Sequence, residues 1–365
     1  MASAQEAAEI TYSVDRTAIL AKVNMEKAPE ATLVFAYDDR LSIQYFEEAR
    51  KGYWTRAYDS IFDAINASLK EHDDVMERCH ELDQDIEAKA MALGGEDYAF
   101  ICNAAYRHSI AAHKLIEDKN GDMIFLSREN DSNSCIGTVD VSYPSVPLFL
   151  MYDTEYVKGM MRPIFRFADC PVWEYDFAPH DVGRYPYATG QVYGLNIKDH
   201  RGEFDQSQGS TVPDLFLFPA GSNCFEHKYQ MPVEECGNML IMAAAVTKID
   251  GNTEFVQDKM DTLKLWVGYL LEHGMDPGEQ LCTDDFAGHL AHNTNLSVKA
   301  ILGVEAYAQI NRALGNEELY AEYHQKAVEM AENWEKTAAT EAGDHTRLTF
   351  DNDNTWSPCS SWCCG

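Results

Sequence analysis

The stretch Val256-Gln257-Asp258-Lys259-Met260-Asp261-Thr262-Leu263-Lys264-Leu265-Trp266-Val267-Gly268-Tyr269-Leu270-Leu271-Glu272 decides the fold. Met260, Leu263, Trp266, Val267 and Leu270 recur at the three-and-four spacing of one helical face, and Gly274 follows as the expected helix stop. Downstream the pattern repeats over Val298 to Leu314, with Gly315 as stop, and over Glu317 to Thr337. Upstream it covers Met239 to Thr247 and Glu155 to Phe167. Earlier still, Tyr98, Ile101, Ala105, His108, Ala112 and Leu115 share a face, and a long acidic helix through Leu82, Ile86 and Met91 ends at Gly94-Gly95. Ile61, Ile65 and Leu69 mark another helix, and Leu41, Ile43, Tyr45 and Phe46 are expected to open one more. Strand signals are few: Met123 to Leu126 after the turn Asn120-Gly121-Asp122, and weak alternation over Ile10 to Val14. Helix, short loop, helix, repeated, predicts a mainly α fold of the α/α toroid type, an (α/α)6 barrel with its site on the long loops at the mouth. The first 35 residues are expected to be a remnant of an upstream β-domain.

Composition narrows the function classes. The chain has 365 residues, 45% apolar and 11% aromatic, as a packed globular enzyme does. It carries 29 basic against 60 acidic residues, a net charge of −31. Such a surface repels phosphate backbones and anionic lipid, so neither nucleic acid nor membrane is an expected partner. The most apolar run, Val141 to Tyr152, is broken by Pro144 and Pro147 and too short to span a bilayer. Met1 to Glu9 has neither a basic start nor an apolar core, so no signal peptide is read there. Ten cysteines contain no CxxC pair, which gives no argument for zinc or thioredoxin chemistry.

Neither a GxSxG elbow, an HExxH helix, a Walker loop nor a GxGxxG turn occurs, which leaves carboxylate and histidine chemistry. Such groups concentrate in four places. Leu281-Cys282-Thr283-Asp284-Asp285-Phe286-Ala287-Gly288-His289-Leu290-Ala291-His292-Asn293 holds two adjacent acids, two histidines and an asparagine. If it is helical, Asp285, His289 and His292 share a face; its plainer reading is helix capping by Thr283 or Asp284, with Asn295 capping the next helix. Glu234-Glu235 precedes an apolar helix, where acids complement the helix dipole with or without a catalytic purpose. His180-Asp181 sits in a loop with Tyr185, Tyr187 and Tyr193, a composition suited to gripping a small polar ligand, or to a structural turn. Asp140 is a buried carboxylate or a strand-end turn.

Several long blocks carry a family resemblance. They include Ala36-Tyr37-Asp38-Asp39, Gly94-Gly95-Glu96-Asp97-Tyr98, Thr138-Val139-Asp140-Val141-Ser142-Tyr143-Pro144, Ala178-Pro179-His180-Asp181-Val182-Gly183, Tyr185 to Gly194, and Met231-Pro232-Val233-Glu234-Glu235-Cys236-Gly237-Asn238-Met239. Together with Leu281 to Asn293 they resemble the fungal and bacterial glutaminase A family, from about Ala36 to Trp356. The resemblance implies an N-terminal β-sandwich-like domain, then a central and a C-terminal region forming an α/α barrel. It implies hydrolysis of L-glutamine to L-glutamate and ammonia, outside the cell or at the wall. On this pattern residues 1–35 are the β-domain remnant, 36–170 the central region and 171–357 the C-terminal region. Residues 195–230 read as an atypical insert and 358–365 as an aberrant tail, both expected marks of a fragmentary gene product. The missing β-domain is expected to pack on the toroid.

In that reading one acid of Asp284/Asp285 or Glu234/Glu235 activates water, and the other, or His289, protonates the departing ammonia. Asn293 or backbone amides steady the oxyanion. Asp140, His180, Asp181, Tyr193, His292 and Asn293 are expected to bind the small-molecule substrate, a glutamine or a saccharide. No cofactor and no metal are expected. The rivals are a glycoside hydrolase with an inverting pair drawn from Asp140, Glu234 and Asp284, and an inactive fragment kept as a binding protein.

Overall fold

The computed structural model describes residues 8–13, 18–24, 26, 32–129, 133–204, 213–282, 288–340, 342–343 and 345–357. The chain divides into two units, residues 1–38 with 56–76, and residues 39–55 with 77–365. The first unit contains the antiparallel hairpin of β1 (Ala8–Ser13) and β2 (Ala18–Val23), and α1 (Ile61–Lys70). Ser60 caps α1 by accepting from the Asp63 N–H.

The second unit begins with β3 (Ile43–Tyr45) and β4 (Glu48–Arg50). Next comes α2 (His72–Ala111), whose residues from Glu77 onward lie in this unit. Gly95, at φ 81°, breaks α2 into two helical runs at the expected point. The antiparallel hairpin of β5 (His113–Glu117) and β6 (Met123–Ser127) follows, so Leu115 is a strand residue rather than the end of the helix. Then come α3 (Val139–Ser142), α4 (Val146–Leu150), α5 (Thr154–Ala168), β7 (Tyr187–Ala188) and α6 (Arg201–Phe204). The chain closes with α7 (Pro232–Asp250), α8 (Met260–His273), α9 (Thr294–Ala313) and α10 (Glu317–Ala338). The fold is mainly helical, and among the described residues no helix is long and apolar enough to cross a membrane.

The segment expected to open a helix at Leu41 is a strand. Ile43–Tyr45 pairs antiparallel with β4 and parallel with β7, a partner more than 140 residues away in sequence, and Phe46 then turns at φ 50°. A tight hairpin with β4 and a long-range ladder with β7 override a local pattern of four apolar residues. Tyr45 and Phe46 are accordingly buried.

The core of this unit is built on α7 and α9, both buried almost all round, with α8 and α5 against α7 and α10 against α9. Their approach depends on missing side chains. A Cβ on Gly303 would lie 2.5 Å from Leu270 Cδ1 and 3.2 Å from Gly237 Cα, and one on Gly237 would lie 2.5 Å from Lys299 Cγ. Gly274 ends α8 as expected but for a different reason: its φ is −83°, and a Cβ there would meet Ala300 Cβ at 2.3 Å. It is glycine because α9 passes too close for anything larger, not because the chain turns left-handed.

Candidate functional site

The site starts at the first turn of α7. Pro232 occupies the opening position, and Glu234 and Glu235 follow where the helix N-terminus favours negative charge. Acids at such a position ordinarily face water; here Glu234 is 3% exposed and Glu235 is completely buried. Lys299 of α9, itself buried, places Nζ 2.8 Å from Glu234 Oε1. It reaches that point because its stem crosses the bare Cα of Gly237. Asn238, one turn along, accepts from Lys299 at 2.7 Å and donates through Nδ2 to Glu234 Oε1 and Glu235 Oε2, each at 3.2 Å. The Lys299 ammonium also stands 4.1 Å from the centre of the Tyr143 ring. Glu234 is thereby compensated. Glu235 is held on one oxygen only, and its Oε1 is buried with no hydrogen-bond partner among the described residues. Burial, and after it the charges of Asp140 and Glu234, push the Glu235 carboxyl well above the ordinary range.

Asp140 and His180 come to Glu235 from two loops stitched together by backbone. Ile136 N–H donates to Gly183 O, Val182 N–H to Ile136 O and Val139 N–H to His180 O, at 2.8 to 3.1 Å. Within this frame Asp181 is completely buried and accepts from three backbone N–H groups, those of Gly183 (2.8 Å), Val192 (3.0 Å) and Tyr193 (3.1 Å). A carboxylate so engaged acts as acceptor, so the His180 Nδ1 facing it at 3.0 Å is the donor. That fixes the tautomer and turns Nε2 toward Asp140 Oδ1 at 3.6 Å. The imidazole stacks on Tyr193, centroids 4.1 Å apart and planes within 18°. Burial disfavours its charged form, but the Asp181 hydrogen bond and the Asp140 charge outweigh that and raise its pKa above the usual histidine value. One donor atom each from Asp140, His180 and Glu235 lies within 4.8 Å of the others.

Of the residues singled out in the sequence, Asp140, His180, Asp181, Tyr193, Glu234 and Glu235 are therefore brought together. Asp284 and Asp285 lie outside the described residues. His289 is exposed, with its ring 6.3 Å from that of Tyr229. Residues 288–292 are not helical, so the shared face posited for His289 and His292 does not form in the described part. His292 sits at φ 62° and pairs with Asp276 at 2.7 Å on a partly exposed surface. The Asn293 side-chain oxygen caps α9, accepting from Asn295 N–H (2.9 Å) and Leu296 N–H (3.2 Å); Asn295 does not fill that post. Asn238 and Lys299 escaped the sequence reading. Lys299 had a signal, a lone cation on the apolar run Leu296, Ala300, Ile301, Val304. A cleft of about 540 Å³ runs along α5, but its Lys158 and Arg162 are paired with acids and no cluster residue lines it.

Carboxylates and an oriented imidazole are thus enclosed at the start of a buried helix in a mainly helical protein. The comparisons specify the family. A model described as the glutaminase A six helical-hairpin domain matches residues 95–360, and a domain of unknown function matches residues 5–89. The chain belongs to the glutaminase A family. It is 30% identical over 278 residues to the protein named Glutaminase A of Aspergillus oryzae, covering 75% of this chain and 36% of that protein. It is 23% identical over 389 residues to one named Probable glutaminase of Arthroderma benhamiae, covering 90% of this chain and 41% of that protein. The chain thus spans well under half the length of these curated relatives.

Proposed function

We propose that this chain carries a glutaminase-like hydrolytic centre and that the centre is the Asp140–His180–Glu235 cluster. The names of the relatives support the carboxamide of a small amino acid as substrate. The observation that carries the location is the locked imidazole: Asp181 holds Nδ1, so Nε2 faces Asp140, with a Glu235 carboxylate oxygen within 4.8 Å of both. Hydrolysis adds water to the amide carbonyl, breaks the C–N bond and delivers a proton to the leaving nitrogen. It needs a focus where a water loses one proton and a group nearby that returns one. The cluster supplies donors and acceptors for both within 4.8 Å. Lys299 and Asn238 keep Glu234 and Glu235 in place while the reaction turns over. The wider reading places the cluster at the mouth of an α/α toroid formed by residues 36–357, in a secreted or wall-associated protein whose β-domain packs upstream.

An inverting glycosidase needs carboxyl groups about 6.5–9.5 Å apart. Asp140 and Glu235 approach within 4.8 Å and Glu234 is committed to Lys299, which does not favour that alternative. The test is ammonia release from L-glutamine by the purified chain, run beside a panel of aryl glycosides. Release that falls at least a hundredfold in Asp140→Asn and Glu235→Gln is expected. Full turnover in both folded variants, or sugar release in place of ammonia, would overturn the proposal.

A further inference from the structure

We infer that Asp140, His180 and Glu235 form a binding site for one divalent transition cation of the zinc or manganese class. No local spacing announces a metal at these three residues, because they are scattered over positions 140, 180 and 235. Three features of the folded chain point to one.

The first is the donor set. Two carboxylates and one imidazole are a donor set that catalytic sites offer to zinc and its neighbours, whereas calcium takes six to eight oxygens. The second is spacing. At metal–ligand distances of about 2.0–2.2 Å, donors in a tetrahedron lie about 3.4 Å apart. His180 Nε2 and Asp140 Oδ1 are already 3.6 Å apart, and all three donors fall within 4.8 Å. The third is the surrounding support. His180 gives Nδ1–H to Asp181, the carboxylate–histidine arrangement that orients a metal-bound imidazole, and so turns its other nitrogen toward Asp140. Asp181 is in turn held by three backbone N–H groups. Glu235 Oε1 is wholly buried with no hydrogen-bond partner among the described residues, a costly arrangement unless a ligand takes that oxygen. Lys299 does not relieve it, since its ammonium is drawn to Glu234 and Asn238.

A bound cation would polarise water at the same focus that the hydrolytic proposal requires, but the site is inferred from the ligands and stands without that proposal. The experiment is therefore a binding measurement without substrate. The full chain is stripped with chelator, dialysed, and titrated with Zn²⁺ and separately with Mn²⁺ by calorimetry, with bound metal counted by mass spectrometry. One ion per chain is expected. Affinity should fall at least tenfold in Glu235→Gln and in Asp140→Asn, both near-isosteric, while His292→Ala, at the surface pair with Asp276, should bind as the parent does. The ion should also raise the melting temperature of the parent but not of Glu235→Gln, with folding checked by circular dichroism. No retained ion, or equal affinity in folded Glu235→Gln and Asp140→Asn, would overturn the inference. A chain that binds the ion at this site yet releases no ammonia would sink the hydrolytic proposal and leave the metal site standing.

Discussion

Two histidines show how far surroundings set a side chain's role. His180 and His113 each stack nearly parallel on an aromatic ring, Tyr193 at 4.1 Å and Phe125 at 4.3 Å. Each directs Nδ1 at an oxygen, the Asp181 carboxylate in one case and the Ser109 carbonyl at 2.5 Å in the other. The difference is at Nε2. In His180 it looks onto Asp140 and Glu235. In His113 it is buried without a partner among the described residues, and the rings packed on that imidazole are Phe125 and Phe149. The pKa values diverge accordingly: carboxylates raise that of His180 against the cost of burial, and burial lowers that of His113 to about 4. Stacking and a first hydrogen bond make a histidine structural; the second nitrogen decides whether it can do chemistry.

The widest gap between the two is expected in turnover. His180→Ala should lower ammonia release at least a hundredfold, while His113→Leu should keep it within about twofold; equal losses in both folded variants would erase the contrast. Next in size is Asp181→Asn, which retains the shape but lets the imidazole choose its tautomer. Outer partners of this kind are worth roughly 10–100-fold, so metal affinity and kcat should both drop by that order, with a displaced pH profile. Unchanged affinity and profile would reduce Asp181 to a loop fastener.

His113 should declare itself through acid stability. Its folded pKa lies below the unfolded value, so above pH 6.5 both states are neutral and it has no effect. Between about pH 6.5 and 4 only the unfolded chain takes the proton, and stability falls as pH falls. The residue keeps some exposure, but the atom that titrates is buried, so the loss approaches about 3 kcal/mol at most, from about 1.4 kcal/mol per pH unit. Urea melts at pH 7 and pH 4.5 should show His113→Leu losing less stability than the parent; identical slopes would mean the imidazole is solvated. The smallest effect belongs to His292→Ala, expected to leave ammonia release within about twofold because its partner is the surface acid Asp276. A tenfold loss would bring the 281–293 stretch back into the site.

Much of the site could be read from local sequence because its acids and histidine stand in unusual company. Glu234-Glu235 ahead of an apolar helix, and His180-Asp181 between a proline and a glycine, are conspicuous in one dimension. Asn238 and Lys299 were not, since a helical asparagine and lysine have a commonplace explanation at the surface, and only packing of α9 on α7 removes it. The 281–293 stretch is described only in part, and Asp284 and Asp285 lie outside the described residues. Its density of polar groups drew attention, yet in its described part Asn293 serves as a helix cap and His292 as a surface partner.

The sequence by itself determined the helical character, the positions of α5, α8, α9 and α10 to within a few residues, the body of α7 though not its first two turns, and the family. Those properties rest on periodicity and on runs of neighbours, which the chain carries before it folds. Tertiary structure alone decided that Ile43–Tyr45 is a strand, that Gly237 clears the way for Lys299, and that residues 140, 180 and 235 meet at one point. Each of these depends on partners far apart in sequence, where distance and burial set the energy and no local pattern records them.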